Sequence, residues 1–162
     1  MQSRDAESHL PTPRSGPGAR VAVIVARFNA GITEELRSGC VEGLIENAVD
    51  EADIHVFYVP GAWELPQAAR ALASAERFDA IIALGCVIRG ETSHFDYVAG
   101  EASAGLGAVA RDIDVPLVFG VLTTDTVAQA EARAERDRGN KGRELAMSAL
   151  AMIDFRLEVR GP

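Results

Sequence analysis

A histidine, His94, closes the stretch Leu84-Gly-Cys-Val-Ile-Arg-Gly-Glu-Thr-Ser-His94, in which an apolar run rich in Ile and Val gives way abruptly to Arg89-Gly-Glu-Thr-Ser-His94 and then to a helical pattern. A strand, a tight Gly-containing loop and a helix start in that order leave several backbone N–H groups unpaired and aimed at one spot. The positive end of the helix dipole stands behind them. Such a junction suits the holding of an anion, with the loop amides at Glu91 and Thr92 as donors. His94, the one side chain type that titrates near neutral pH, could move a proton beside it. The same order of residues also describes a helix that is merely capped, so a site requires further groups from elsewhere in the chain.

Two other stretches offer them. Phe28-Asn29 follows the first apolar run, and Gly61-Ala-Trp-Glu64 follows the second. Two rings at a cleft mouth suit a flat heterocycle, since stacking contributes on the order of 1 kcal/mol beyond area burial. Glu64 can accept hydrogen bonds from hydroxyls. The plainer alternative puts Trp63 in the core and Glu64 at a helix N-terminus, where a carboxylate is stabilising. No Walker loop or Gly-x-Gly-x-x-Gly is present, which argues against a nucleoside triphosphate or a dinucleotide. After its first strand a flavodoxin would need a hydroxyl-rich phosphate loop and a phosphorelay receiver would need acids; Arg27-Phe28-Asn29 supplies neither. Cys40 and Cys86 lack metal-ligand spacing, fall on apolar faces, and read as reduced core thiols. No metal site is expected. His9 lies in a segment without periodicity, and His55 on a strand, where a solvent-facing or satisfied imidazole is expected.

The elements that must position these groups follow from periodicity. Met1 to Ala19, with three prolines, reads as a flexible N-terminal arm. One domain, residues 20–157, follows. Strands are expected at Arg20–Ala26, Ile54–Val59, the run that starts at Ala80, and Val115–Val121. Between and after them come helical stripes. Ile32, Leu36, Cys40, Leu44 and Ile45 mark a helix to about Asn47; Leu65, Ala69 and Leu72 mark a second. Phe95, Val98, Ala102, Leu106 and Val109 mark a third. A short helix runs from Val127 to Arg136, and a last one from Asn140 to near Phe155, with Leu145, Ala149, Met152 and Ile153 facing in.

Strands alternating with helices imply right-handed crossovers and a parallel sheet covered on both faces. The fold expected is α/β, a three-layer flavodoxin-like sandwich with a four-stranded parallel sheet in the order 2-1-3-4. Its topological switch point lies between the first and third strands, and ligands in such sheets bind beyond the carboxyl ends of the strands there. Phe28-Asn29, Gly61 to Glu64 and Cys86 to His94 all lie just past those ends, so three loops converge on one cleft. The chain has 162 residues and a net charge of −8. That size suits one domain, and that charge argues against broad binding to nucleic acid or an anionic membrane surface. No apolar run is long enough to span a bilayer, and the N-terminus lacks the apolar core of a secretion signal, so a soluble, cytoplasmic protein is expected.

Five stretches in register resemble one family: Arg27-Phe-Asn29, Val59-Pro-Gly-Ala-Trp-Glu64, Leu84 to Val98, Phe119-Gly-Val-Leu-Thr-Thr124 and Gly139-Asn-Lys-Gly142. Across residues 20 to 155 the chain is similar to 6,7-dimethyl-8-ribityllumazine synthase, the penultimate enzyme of riboflavin synthesis. The resemblance implies condensation of 5-amino-6-(D-ribitylamino)uracil with 3,4-dihydroxy-2-butanone 4-phosphate, with neither metal nor organic cofactor. By position it implies that Phe28 stacks on the pyrimidine. Ala62, Trp63 and Glu64 would line the ribityl and ring pocket, and the backbone of Cys86, Val87 and Ile88 would read the ring edge. Glu91, Thr92 and Arg133 would hold the phosphate, and His94 would move protons. Phe119, Arg133 and Lys141 would reach in from a neighbouring subunit of a homopentamer, which the resemblance also allows to close into an icosahedral capsid of pentamers. Trp63 stands where Phe is common, and Cys86 where other small or branched residues occur. Read alone, Arg133 is one of four arginines on a solvated helix. A non-catalytic flavin- or lumazine-binding protein or shell-forming scaffold of the same fold is the alternative, against which the joint retention of His94, Arg133 and Lys141 speaks.

Overall fold

The computed structural model describes residues Leu10 to Pro162; His9 and the start of the expected arm lie outside the described residues. Four strands, β1 (Val21–Ala26), β2 (Ile54–Val59), β3 (Ala80–Ile88) and β4 (Leu117–Thr124), form one sheet in the order β2-β1-β3-β4. Every pairing is parallel. The register sets Val21 against Ile54 on one side and against Ala80 on the other, and Ile81 against Leu117. All six residues of β1 and the first eight of β3 are buried. Near-continuous apolar runs of this kind mark strands covered on both faces, and they place β1 and β3 in the middle of the sheet.

Because side chains alternate along a strand, β1 feeds two cores. Val21, Val23 and Val25 face Leu36, Cys40 and Leu44 of α1 (Ala30–Glu46), and Leu145, Ala149, Leu150 and Ile153 of α5 (Lys141–Arg160). Ala130 and Ala134 of α4 (Val127–Ala134) join that layer. Ala22 and Ile24 face the other way, toward Leu65 and Ala69 of α2 (Leu65–Ser74) and Ala102, Leu106 and Val109 of α3 (His94–Asp112). The expected three-layer α/β sandwich and strand order are thus observed. In the first core α1 and α5 cross at backbone distance. A methyl group on Gly142 would run into the Leu36 carbonyl and stand 2.8 Å from the Cys40 amide nitrogen.

Several expectations need correction. β4 begins and ends later than Val115–Val121, because Leu122, Thr123 and Thr124 pair with Cys86, Val87 and Ile88; the threonines read as loop, yet β-branched residues suit a strand. α5 runs past Phe155 to Arg160, and Gly161 ends it in the left-handed region at φ 73°. Met152 does not face in; it is 45% exposed, as Ile45 is at 44%. His55 is neither solvent-facing nor satisfied. Its ring packs edge-on against Phe78 with centroids 5.5 Å apart, and its Nε2 is buried without a hydrogen-bond partner among the described residues. Within the segment expected as an arm, Arg14 to Ala19 are fastened to the domain. The Arg14 amide donates to Asp154 Oδ2 at 3.0 Å, the Ser15 hydroxyl to the Leu150 carbonyl at 3.2 Å, and Ala19 is buried. No helix among the described residues is long and apolar enough to cross a membrane.

Candidate active site

The carboxyl ends of β1, β2 and β3 open onto a cleft of about 720 Å³. Two backbone hydrogen bonds stitch the loop after β1 to the end of β2: the Arg27 amide donates to the Val59 carbonyl at 2.8 Å and the Phe28 amide to the Pro60 carbonyl at 3.0 Å. Phe28 is thereby held out over the cleft, 72% exposed. A 3₁₀ turn at Ala62–Glu64 follows β2 and leads into α2, with Pro66 in the first turn of that helix, where its missing N–H costs nothing. Glu64 Oε2 reaches back to accept from the Gly61 amide at 3.0 Å. One carboxylate oxygen therefore braces the turn that presents Trp63. That indole is no core residue; it is 57% exposed beside the cleft.

Past β3 the loop expected to bind an anion is held at its base. The Arg89 amide donates to the Thr124 carbonyl at 2.9 Å, and the Arg89 guanidinium meets Asp125 at 2.9 Å, Asp96 at 3.5 Å and the Phe95 ring at 4.4 Å. The carboxylates of Asp125 and Asp96 raise the Arg89 pKa, with the Asp125 hydrogen bond foremost. Arg89 is thus committed to bracing the loop. Among the described residues the amides of Gly90, Glu91 and Thr92 donate to no protein acceptor. His94 is the first residue of α3, exposed, with its amide 3.4 Å from Thr92 Oγ1. Unpaired amides and a helix N-terminus at one lip make the anion-binding arrangement anticipated from the loop's composition.

Nine of the anticipated residues line this one cleft: Phe28, Ala62, Trp63, Glu64, Cys86, Val87, Ile88, Thr92 and His94. Glu91 is exposed beside it without lining it. Burial pushes the Cys86 thiol up to about 11, so it stays protonated at neutral pH and serves as cleft wall. Asn29, anticipated in one of the converging loops but given no role, and Tyr97, which lies off the apolar stripe of its helix and was given none either, also line the cleft; Tyr97 is 71% exposed. Solvent-facing rings gathered at one mouth are a surface awaiting a ligand or a partner.

Three anticipated residues are elsewhere. Arg133 and Lys141 line a separate recess of about 540 Å³ against Val121, Leu122 and Thr123 of β4. Arg133 Nη1 donates to the Gln129 carbonyl of its own helix at 2.9 Å, and Lys141 Nζ pairs with Glu144 at 2.6 Å. The tight turn that brings the two cations together depends on Gly139, whose amide donates to the Ala132 carbonyl at 3.0 Å. A methyl there would stand 2.7 Å from that oxygen and 2.9 Å from Arg133 Cα. Phe119, on the edge strand β4, is 46% exposed and does not line that recess. None of the three lines its own chain's cleft.

Comparison with known proteins identifies a family. A family model described as 6,7-dimethyl-8-ribityllumazine synthase matches residues 18–156. The chain is 52% identical over 140 residues to the 6,7-dimethyl-8-ribityllumazine synthase of Gemmatimonas aurantiaca, spanning 86% of this chain and 85% of that protein. It is 51% identical over 146 residues to proteins of the same name from Yersinia pestis and Yersinia pseudotuberculosis, spanning 90% of this chain and 94% of each.

Proposed function

The chain belongs to the 6,7-dimethyl-8-ribityllumazine synthase family, and on that premise we propose that its cleft condenses 5-amino-6-(D-ribitylamino)uracil with 3,4-dihydroxy-2-butanone 4-phosphate. As a transferase of riboflavin biosynthesis, it needs a place for a flat ring, a polyol and a phosphate. The observation that carries the reading is the convergence of three loops on one cleft, with exposed Phe28 and Trp63 at its mouth and unpaired amides at Gly90 to Thr92 on its lip.

In this reading Phe28 stacks on the pyrimidine while Ala62, Trp63 and Glu64 line the ribityl and ring pocket. The backbone edge of β3 at Cys86 and Ile88 reads the ring edge, while Val87, whose backbone pairs with β4, lines the pocket, and Glu91 and Thr92 hold the phosphate through the loop. The 5-amino group attacks the butanone carbonyl and water leaves as the imine forms. Inorganic phosphate departs next, and the ribityl-bearing nitrogen closes the ring onto the newly formed carbonyl with loss of a second water. Each step moves protons and none moves electrons to a carrier, so the chemistry asks for His94 and for placement, with no organic cofactor or metal. Placement of two substrates supplies most of the acceleration, and proton transfer at His94 adds on the order of 10²-fold.

A phosphate dianion in an acidic protein calls for local cations. Arg133 and Lys141 are the candidates, and their position by β4, with Phe119, supports a site completed by the neighbouring subunit of a homopentamer with head-to-tail contacts. Closure of such pentamers into an icosahedral capsid is compatible with the short turn between α4 and α5. Two buried free thiols, Cys40 and Cys86, support a reducing compartment, the cytoplasm.

Trp63 is the chain's one tryptophan, which gives a direct test of the site. Titration with the ribitylaminouracil alone should quench intrinsic fluorescence saturably, and Phe28→Ala should weaken that binding several-fold. Fluorescence indifferent to the pyrimidine while turnover proceeds would place the substrate elsewhere.

A further inference from the structure

The edge of β3 carries an unexplained tie. In a parallel sheet the N–H and C=O of one residue point to the same neighbouring strand, and successive residues alternate. The odd-numbered residues of β3 face β4: the Ile81 amide donates to the Pro116 carbonyl at 2.8 Å, and the Arg89 amide to the Thr124 carbonyl at 2.9 Å. The even-numbered ones, Leu84, Cys86 and Ile88, therefore face β1. The ladder between β1 and β3 ends at Val25 opposite Leu84, however, while β3 continues to Ile88. Cys86 and Ile88 are left with edge groups and no strand to receive them.

Asn29 supplies the missing partner for the first of these. Its Nδ2 donates to the Cys86 carbonyl at 2.9 Å. To do so the residue adopts the left-handed region, φ 59° and ψ 47°, and its side chain forgoes the usual cap of α1. Asparagine enters that region at lower cost than most residues with a Cβ. The Asn29 carbonyl meanwhile accepts the Ile32 and Thr33 amides at 3.0 and 3.1 Å. One residue thus ends β1, starts α1 and seals the β3 edge.

We propose that Asn29 is a positioning residue for the pyrimidine: by closing the β3 edge at Cys86 it leaves the next edge-facing groups, those of Ile88, open to the ring. It also fixes the spacing between that edge and the loop carrying Phe28. The proposal rests on the cleft being the pyrimidine site. Its consequence is selective, because the phosphate lip lies beyond Arg89, which has its own ties to Asp96 and Asp125.

Two substitutions test it. Asn29→Asp tolerates the left-handed conformation but replaces the donor with an oxygen facing a carbonyl. Asn29→Gly keeps the conformation without strain and removes the tie. In both, the Kd of the ribitylaminouracil, read from Trp63 fluorescence, should rise about five- to tenfold, while the KM of the butanone phosphate stays within about twofold. If Asn29→Asp folds poorly, Asn29→Gly carries the test alone. Equal weakening of both substrates would reduce Asn29 to a fold residue and overturn the proposal, as would unchanged pyrimidine affinity. Wild-type quenching by the pyrimidine, measured alongside, tests the site assignment itself, so failure of the one is distinguishable from failure of the other.

Discussion

If the site is shared between subunits, two crippled chains should repair each other. Phe28 and His94 line the cleft, whereas Arg133 and Lys141 line a different recess of the same chain. Phe28→Ala with His94→Ala removes a stacking ring and a proton carrier, a combined loss of roughly 10²- to 10³-fold. Arg133→Gln with Lys141→Gln removes two charge-assisted contacts of about 1.5–3 kcal/mol each, a loss of roughly 10²-fold or more. Phe28 and His94 are exposed, and among the described residues Arg133 and Lys141 hold partners only on their own helices, so none of these changes should disturb folding by more than about 0.5 kcal/mol. In a closed ring assembled at random from equal amounts of the two variants, about a quarter of interfaces join an intact cleft to intact cations. The assay is co-expression with two different tags, tandem purification and measurement of lumazine formation. Activity should rise from about 1% or less to roughly a quarter of wild type. Mixed rings verified by mass spectrometry and still inactive would refute the shared site, as would a chain that remains monomeric by light scattering and turns over.

Arg133→Gln alone should weaken the butanone phosphate about tenfold and leave the pyrimidine nearly unaffected; steady-state kinetics with each substrate varied would show a structural role by equal changes in both. Gly142→Ala gains about 1 kcal/mol of helix propensity but forces a methyl into the Leu36 carbonyl, an overpacking cost of about 3 kcal/mol, for a net loss of about 2 kcal/mol in urea unfolding; an unchanged midpoint would contradict the close crossing of α1 and α5. Burial raises the Cys40 thiol from 9.0 to about 12. The folded chain therefore keeps a proton that the unfolded chain loses above pH 9. Stability should fall as pH rises from 9 toward 12, by up to about 1.4 kcal/mol per unit. Cys40→Ala should make that slope shallower and leave the part due to Cys86, whose thiol burial raises to about 11; parallel slopes in chemical unfolding at pH 8.5 to 10.5 would exclude the Cys40 thiol as a source.

The sheet order and most of the helix stripes were legible in the sequence because the buried strands are apolar throughout and the stripes at Leu36, Leu65 and Leu106 repeat at helical spacing. Part of what was illegible lies in polar residues placed by tertiary contact. Thr123 and Thr124 extend β4 because β3 continues beside them; α5, by contrast, runs on through the exposed residues Leu157 to Arg160 until Gly161. Asn29 carries no composition signal for its reach to Cys86, since the ladder it replaces exists only once β1 and β3 lie together. Among the site residues, the loops past β1, β2 and β3 could be foreseen from topology. Periodicity places Arg133 and Lys141 on helices without saying which cleft those helices face, but the strand order sets both beyond the outer strand, so their separation from that cleft was legible in the topology.

Lumazine formation by placement and proton transfer in the described cleft requires neither metal nor nucleotide. Purified protein incubated with both substrates and EDTA, without nucleotide or added metal, should generate a fluorescent lumazine with one equivalent of inorganic phosphate, and His94→Ala should slow the reaction about 10- to 10²-fold without abolishing it. A reaction stopped by EDTA and restored by a divalent cation, or one indifferent to His94→Ala, would contradict it.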